Sequence, residues 1–243
     1  MQKLGMGQAV NQALREEMIL DANVFIAGEG IGVGIHESPM LPTFGLLNEF
    51  GPGRVRDTPV SEAAIAGLAV GAAEAGLRPV IEIMFNPFFT LASDMIVNHA
   101  AKLRYLSGGK SSFPLVVRIK SGAGFGAGCQ HSHNLEAWVA HCPGLKVVMP
   151  STPADAKGLL KSAIRDPNPV VFIEDMMTGS APPDTPDHLD IPAIDDSPDE
   201  AVEAATSGSE GDTAVNELPR TAFGHIQCPD VVDMRHPFDL EIG

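Results

Sequence analysis

The stretch Asp57-Thr58-Pro59-Val60-Ser61-Glu62 runs directly into Ala63-Ala64-Ile65-Ala66-Gly67-Leu68-Ala69-Val70-Gly71-Ala72-Ala73. An extended segment stiffened by proline therefore leads into a helix of small apolar residues, with one carboxylate at its start. Burying a carboxylate among alanines costs several kcal/mol unless it is paired or protonated. Two interpretations of Glu62 follow: a first-turn acid favoured by the helix dipole, or an active group.

Short β-branched runs and helical patterns alternate over the first 175 residues. This alternation predicts an α/β fold, with a parallel sheet covered by helices on both faces. Ligands of such sheets bind at the carboxyl ends of the strands, where Glu62 would lie. The predicted strands are Val24–Ala27, Val80–Met84, Leu115–Ile119, Lys146–Met149 and Val170–Ile173. The predicted helices are Gln8–Leu20, Ala63–Ala75, Leu91–Leu106 and one that runs from the Thr152 cap to about Arg165.

A change of composition divides the chain at residue 176. Residues 176–243 contain 15 of the 31 acidic residues but only 2 of the 16 lysines and arginines. Too few apolar residues remain there to bury a second core. We therefore predict one domain over residues 1–175 and an acidic, Pro/Gly-rich tail over 176–243. That tail should be largely irregular, with one short strand at Val231–Arg235.

The composition excludes several classes of function. A net charge of −15 argues against a nucleic-acid partner. Nothing approaches the run of about 18 apolar residues that a membrane span needs. The three cysteines, Cys129, Cys142 and Cys228, are odd in number and lack metal spacing. Because the first residues also lack a signal-peptide pattern, we expect a cytoplasmic protein without membrane contact.

The glycine and histidine motifs give little support to a dinucleotide site, a zinc site or a hydrolase site. Gly122–Ala127 formally matches a dinucleotide-binding fingerprint, but no helix start and no acid at the end of the next strand accompany it. His131 and His133 lack a third zinc ligand at a matching spacing. His131 either points into a cleft with its ring held by neighbours or is an ordinary loop histidine. The Gly-x-Ser-x-Gly motif of hydrolases is absent.

Three phenylalanines, Phe85, Phe88 and Phe89, follow the strand that ends at Met84. They are either ordinary core residues or a platform for a flat ring. Asn86-Pro87 between them indicates a turn, which would place the aromatic side chains at the carboxyl end of the strand.

Several longer runs stand in a fixed order over about residues 5–175. They are Phe50–Glu62, Gly67–Ala73, Gly76–Pro79, Asn98–Tyr105, Gln130–Ser132, His141–Val148, Asp155–Leu160 and Asp166–Val171. Together these runs resemble the beta subunit of the thiamine-diphosphate-dependent decarboxylating component of 2-oxo-acid dehydrogenase complexes, of the pyruvate, acetoin or branched-chain type. The pyrimidine-binding domain of that family is of the transketolase type.

This resemblance implies that thiamine diphosphate lies between two chains, with its diphosphate and Mg²⁺ held by an alpha subunit. The present chain would hold the aminopyrimidine. Glu62 matches the glutamate that hydrogen-bonds the pyrimidine and activates the cofactor. Phe88 matches the aromatic residue that stacks on the pyrimidine, with Phe85 nearby, and Val60 matches an apolar wall. His131 matches the active-site histidine near the substrate.

The resemblance also implies further ligands and partners. Ala163, Asp166 and Asn168 match a loop that binds a structural monovalent cation, such as K⁺, through backbone oxygens. The implied partners are the alpha subunit, a second beta chain and a lipoyl acyltransferase core that receives the acyl group. Relatives carry a second α/β domain where this chain has its acidic tail. The alternatives are therefore a split transketolase-type or synthase-type half-enzyme, or a truncated relative that does not assemble.

Overall fold

The computed structural model describes residues 2–32, 41–122, 124, 126–176 and 190–191. The strands are β1 (Gln2–Lys3), β2 (Val24–Glu29), β3 (Val55–Thr58), β4 (Arg78–Ile83), β5 (Val116–Ser121), β6 (Lys146–Val148), β7 (Val170–Asp175) and β8 (Asp190–Ile191). The helices are α1 (Met6–Leu20), α2 (Leu46–Phe50), α3 (Glu62–Glu74), α4 (Phe89–Ser93), α5 (Ala101–Leu106), α6 (Glu136–Ala140) and α7 (Pro153–Arg165). A 3₁₀ turn at Asn86–Phe88 precedes α4, and a π-helical segment, Asp94–Ala100, joins α4 to α5.

Six strands form one parallel sheet in the order β3-β2-β4-β5-β7-β6. The four central strands, β2, β4, β5 and β7, are buried on both faces, as a parallel sheet between helices requires, whereas the edge strands β3 and β6 are partly exposed. In β2, Phe25 and Ala27 face the core beneath α3 and α4, whereas Val24 and Ile26 face the core beneath α1 and α7. The predicted parallel α/β fold with helices on both faces is confirmed.

Most predicted elements are confirmed, with three differences. The helix predicted at Leu91–Leu106 begins as the 3₁₀ turn at Asn86 and contains the π-helical segment. Pro87 lies in the first turn, where its missing N–H costs nothing, so it starts the helix rather than delaying it. The elements beyond the predicted set are strands β1, β3 and β8 and helices α2 and α6.

The tail lies almost wholly outside the described residues, and so does the strand predicted at Val231–Arg235. Within the described part, Asp190–Ile191 pairs antiparallel with Gln2–Lys3. None of the helices in the described part of the chain is both long enough and apolar enough to cross a membrane.

Helices α1 and α7 are joined by a partly buried ion cluster. The Nζ atoms of Lys157 and Lys161 lie 2.7 and 2.6 Å from the Glu16 carboxylate oxygens. Arg165 donates to Glu17, also on α1. Burial alone raises the pKa of Glu16, but the hydrogen bonds and charges of the two lysines outweigh it, so its pKa is lowered.

Replacing Glu16 with glutamine is expected to destabilise the protein by about 1–2 kcal/mol at pH 7. A carboxylate whose pKa is lowered by folding stabilises the protein above its unfolded pKa, and this contribution is lost as the pH falls through the folded value. The difference between wild type and Glu16→Gln should therefore shrink below about pH 4.5. Urea unfolding between pH 7 and pH 3 measures it. Glu49→Gln, at the exposed pair with Arg15, is the control and should cost less than about 1 kcal/mol. If the difference in unfolding free energy between wild type and Glu16→Gln stays constant down to pH 3, the stabilising role of the Glu16 charge is contradicted.

Candidate functional site

The carboxyl ends of four adjacent strands, β3, β2, β4 and β5, form one edge of the sheet. Glu62 follows β3 and Glu29 ends β2. Phe85 follows β4, and the loop that carries His131 follows β5. Because parallel strands present their carboxyl ends on the same side, this edge brings together residues from four separate parts of the sequence. We call it the carboxyl edge.

Glu62 is the first residue of α3, and only 6% of its surface is exposed. The chain reaches it from β3 through Pro59, Val60 and the N-cap Ser61. In this position the carboxylate benefits from the helix dipole, as the simple capping interpretation requires. Its burial at the edge of the sheet goes beyond what a surface capping acid needs. Both features are compatible with a carboxyl group that faces a ligand.

Glu29 is a second carboxylate at this edge, and the sequence reasoning missed it. Burial raises its pKa, and the nearby charge of Glu62 raises it further, against a hydrogen bond donated by the Ser61 backbone N–H. Its Oε1 is buried and has no hydrogen-bond partner among the described residues. An acid directly after the apolar run Val24–Gly28 was the signal available in the sequence.

The aromatic residues divide into two groups. The His131 ring lies 4.7 Å from Phe85 and 5.2 Å from Phe88 between centroids, edge-on to both. Phe85 and Phe88 are partly exposed, and their rings lie 6.0 Å apart. Phe89 is instead fully buried in the core, against Trp138. The His131 ring thus contacts two neighbouring aromatic rings, and its active-site role stays a prediction. We call Phe85, Phe88 and His131 the aromatic cluster.

Val60 lies at the carboxyl edge with 81% of its surface exposed. Its position on the turn before α3 leaves the side chain available to a ligand or to another chain. Its predicted role as an apolar wall stays a prediction.

The predicted cation loop lies away from the carboxyl edge. Ala163, Asp166 and Asn168 are at the C-terminal end of α7, which runs back to the opposite edge of the sheet. The Asp166 carboxylate accepts hydrogen bonds from Lys146 and Asn168. Burial raises its pKa, but these partners outweigh burial and lower it. Because Asp166 is engaged by its neighbours, a cation there would depend on backbone carbonyls, and the K⁺ site stays a prediction.

In the described part of the chain, no group of three or more His, Cys, Asp or Glu side chains is arranged to hold a metal ion. His133 is exposed.

Buried polar atoms without hydrogen-bond partners among the described residues are concentrated at the carboxyl edge. They are Glu29 Oε1, Thr58 Oγ1, Asn86 Oδ1 and Ser132 Oγ, with Thr43 Oγ1 as a fifth atom elsewhere. Each such atom costs about 1–3 kcal/mol if it stays unpaired, so the ends of these strands hold polar groups for which a ligand or an ordered water would supply partners. Carboxylates, hydroxyls and aromatic rings together fit a flat, nitrogen-containing ring such as an aminopyrimidine.

A parallel sheet with a polar and aromatic site at its carboxyl edge defines an α/β ligand-binding domain. The family described as "Transketolase, pyrimidine binding domain" matches residues 2–178. Because this match covers well over half of the chain, the chain belongs to that family.

Similar curated proteins carry one shared name, pyruvate dehydrogenase E1 component subunit beta. The chain is 49% identical over 184 residues to the mitochondrial beta-2 subunit of Oryza sativa, which covers 75% of this chain and 48% of that protein. It is 47% identical over 190 residues to the subunit of Rhizobium meliloti, covering 78% and 39%. It is 46% identical over 179 residues to the mitochondrial subunit of Bos taurus, covering 74% and 49%. The chain thus spans half or less of the length of these relatives.

A solved structure described as "Split gene transketolase, inactive beta4 tetramer" has a similar fold. It superimposes with a TM-score of 0.57 at 18% sequence identity, covering 71% of this chain and 51% of that one. At this identity the likeness shows the fold alone, and it agrees with the family match.

Proposed function

We propose that this chain is a beta subunit of a thiamine-diphosphate-dependent 2-oxo-acid dehydrogenase, most closely of the pyruvate type. The observation that carries the proposal is the buried Glu62 beside Glu29, whose Oε1 has no partner among the described residues. The names of the similar proteins support the same activity. In this role the chain contributes to oxidative decarboxylation and to acyl transfer onto a lipoyl group.

Each predicted residue has a defined task in this proposal. Thiamine diphosphate, when bound, supplies the electron sink for decarboxylation. With the cofactor bound, Glu62 would hold a proton at the ring nitrogen of the aminopyrimidine, and its buried position would strengthen that hydrogen bond. Phe88 and Phe85 would pack against the ring, and Val60 would form an apolar wall. His131, held by the two phenylalanines, handles a proton near the substrate.

The exposed apolar surface beside the site supports a partner subunit. Val60, Leu68 on α3 and Leu91 on α4 are 81%, 40% and 58% exposed. Exposed apolar residues grouped around a site are typical of protein interfaces. We propose that an alpha subunit covers this surface and brings the diphosphate site with its Mg²⁺. A second beta chain and a lipoyl acyltransferase core are the further proposed partners, and K⁺ is proposed at Ala163, Asp166 and Asn168.

Reconstitution with the cognate alpha subunit tests the proposal. The full chain and the alpha subunit are co-expressed and purified, and thiamine diphosphate binding and pyruvate-dependent dye reduction are measured. We expect decarboxylation only when both chains are present, followed by acetyl transfer to an added lipoyl domain. Failure to form a complex would support the truncated, non-assembling alternative. A complex active only with ketose phosphates would support the transketolase-type alternative.

A further inference from the structure

The aromatic cluster is held in place by a buried polar group that the proposed chemistry does not use. Glu136, the first residue of α6, is only 8% exposed. Its carboxylate accepts hydrogen bonds from the Ser121 hydroxyl and, at 3.4 Å, from the Asn86 side-chain amide. Asn86 is completely buried, and so is Ser121. Three elements therefore meet at one carboxylate. We call Glu136, Asn86 and Ser121 the polar clamp.

The first contact of the polar clamp, between Asn86 and Glu136, involves the turn that carries Phe85 and Phe88. Asn86 lies in the 3₁₀ turn between Phe85 and Phe88. Its hydrogen bond to Glu136 ties this turn to α6. Helix α6 also carries Trp138, whose ring packs edge-on against Phe89 at 5.7 Å. The segment that presents the two site phenylalanines is thus fixed to α6 by one polar and one aromatic contact.

The second contact, between Ser121 and Glu136, involves the end of β5, which packs against the His131 loop. Ser121 ends β5, and its hydroxyl also lies 2.6 Å from the Asn134 side-chain oxygen. Gly122, the next residue, packs so closely on the loop that an added Cβ would lie 2.2 Å from the His131 carbonyl oxygen. No side chain fits at position 122, so the backbone at the end of β5 packs directly against the His131 backbone.

We propose that Glu136 is the positioning residue that sets the His131 ring against Phe85 and Phe88. Through Asn86 it contacts the turn that carries the two phenylalanines, and through Ser121 it contacts the strand end that supports the His131 backbone. The Asn86 contact, at 3.4 Å, is at the long limit for a hydrogen bond, so the restraint on the turn also depends on the packing of Trp138 against Phe89. The effect of Glu136 on catalysis rests on the proposed function, but its effect on the position of the His131 ring does not.

Histidine ring NMR of the isolated full-length chain tests the restraint without any partner. With carbon-13-labelled histidine, the His131 signal is assigned by its loss in His131→Asn. The neighbouring phenylalanine rings should displace this signal from the random-coil position. In Glu136→Ala we expect the His131 chemical shift to return most of the way to its random-coil value. In Glu136→Gln, which keeps the acceptor oxygen, the shift should stay close to that of the wild type. Asp155→Ala, another first-turn acid of a helix, is the matched control and should leave His131 unchanged.

The reconstituted enzyme gives the second measurement. Because a misplacement of about 1 Å can cost about 10²-fold, Glu136→Ala should lower kcat by about 10- to 100-fold with little change in cofactor affinity. A folded Glu136→Ala chain with an unchanged His131 signal would overturn the proposal. If Glu136→Ala does not fold, Ser121→Ala removes the other end of the clamp and is judged by the same signal. An inactive wild-type complex would count against the proposed function, while the NMR result would still decide the role of Glu136.

Discussion

Replacing Glu62 with glutamine is expected to lower the decarboxylation rate of the reconstituted enzyme by about 10²–10⁴-fold, the usual contribution of a positioned acid or base. Glutamine keeps the shape of the side chain and its oxygen acceptor. It has no acidic proton to hold at the ring nitrogen of the aminopyrimidine. Because the group is buried at the start of α3, solvent cannot readily replace it. The measurement is pyruvate-dependent dye reduction at saturating cofactor.

A second measurement on the same variant does not depend on activity. The charge of Glu62 is one of the causes that raise the pKa of Glu29. Its removal should lower the pKa of Glu29, which carboxyl NMR titration of the isolated chain can follow. Glu74→Gln, at the exposed opposite end of α3, is the matched control and should change neither the rate nor Glu29. If Glu62→Gln retains the wild-type rate, the role assigned to Glu62 is wrong.

Replacing Arg118 with methionine is expected to cost about 3–5 kcal/mol of unfolding free energy, because breaking a buried ion pair leaves uncompensated charge. Arg118 is almost completely buried in β5. It donates to Glu174 through Nε and Nη2 at 2.6 and 2.9 Å, and to Glu82 at 2.9 Å. Burial alone lowers the pKa of Arg118, but the two carboxylates outweigh it and raise the pKa. The loss is large beside a typical domain stability of about 5–15 kcal/mol.

Urea unfolding of the full chain at pH 7 measures this loss. Arg15→Met, at the exposed pair with Glu49, is the matched control and should cost less than about 1 kcal/mol. The double variant Arg118→Met with Glu174→Gln should recover part of the stability, since it removes one of the buried charges left behind. A cost for Arg118→Met as small as that of the control would show that the cluster contributes little.

The buried charge cluster also bears on the site. Glu82, Arg118 and Glu174 lie on β4, β5 and β7, three neighbouring strands of the sheet. Lys120 adds a further contact to Glu82 at 2.8 Å. Two of these strands, β4 and β5, lead directly into the aromatic cluster. Their mutual alignment therefore helps to fix where the site residues stand.

The fold was largely predictable because its signals are local. Apolar runs bounded by proline and glycine mark the strands, and the Thr152 cap followed by Pro153 marks the start of α7. The helix after β4 starts at Phe89 and not at the predicted Leu91, because the 3₁₀ turn at the predicted Asn86-Pro87 turn continues directly into α4. A proline is compatible both with a turn and with the first turn of a helix, and only the packing around it selects one.

The sequence by itself determined the parallel α/β architecture, the position of Glu62 at a helix start and the aromatic residues after β4. Each of these depends on residues close together along the chain. Only the tertiary structure brought Glu29 beside Glu62, His131 against Phe85 and Phe88, and Asn86 and Ser121 onto Glu136. Those contacts depend on the strand order β3-β2-β4-β5 and on the path of the loop after β5. They join residues 33 to 50 positions apart in all but the Ser121–Glu136 contact, and local spacing carries no information about such pairs.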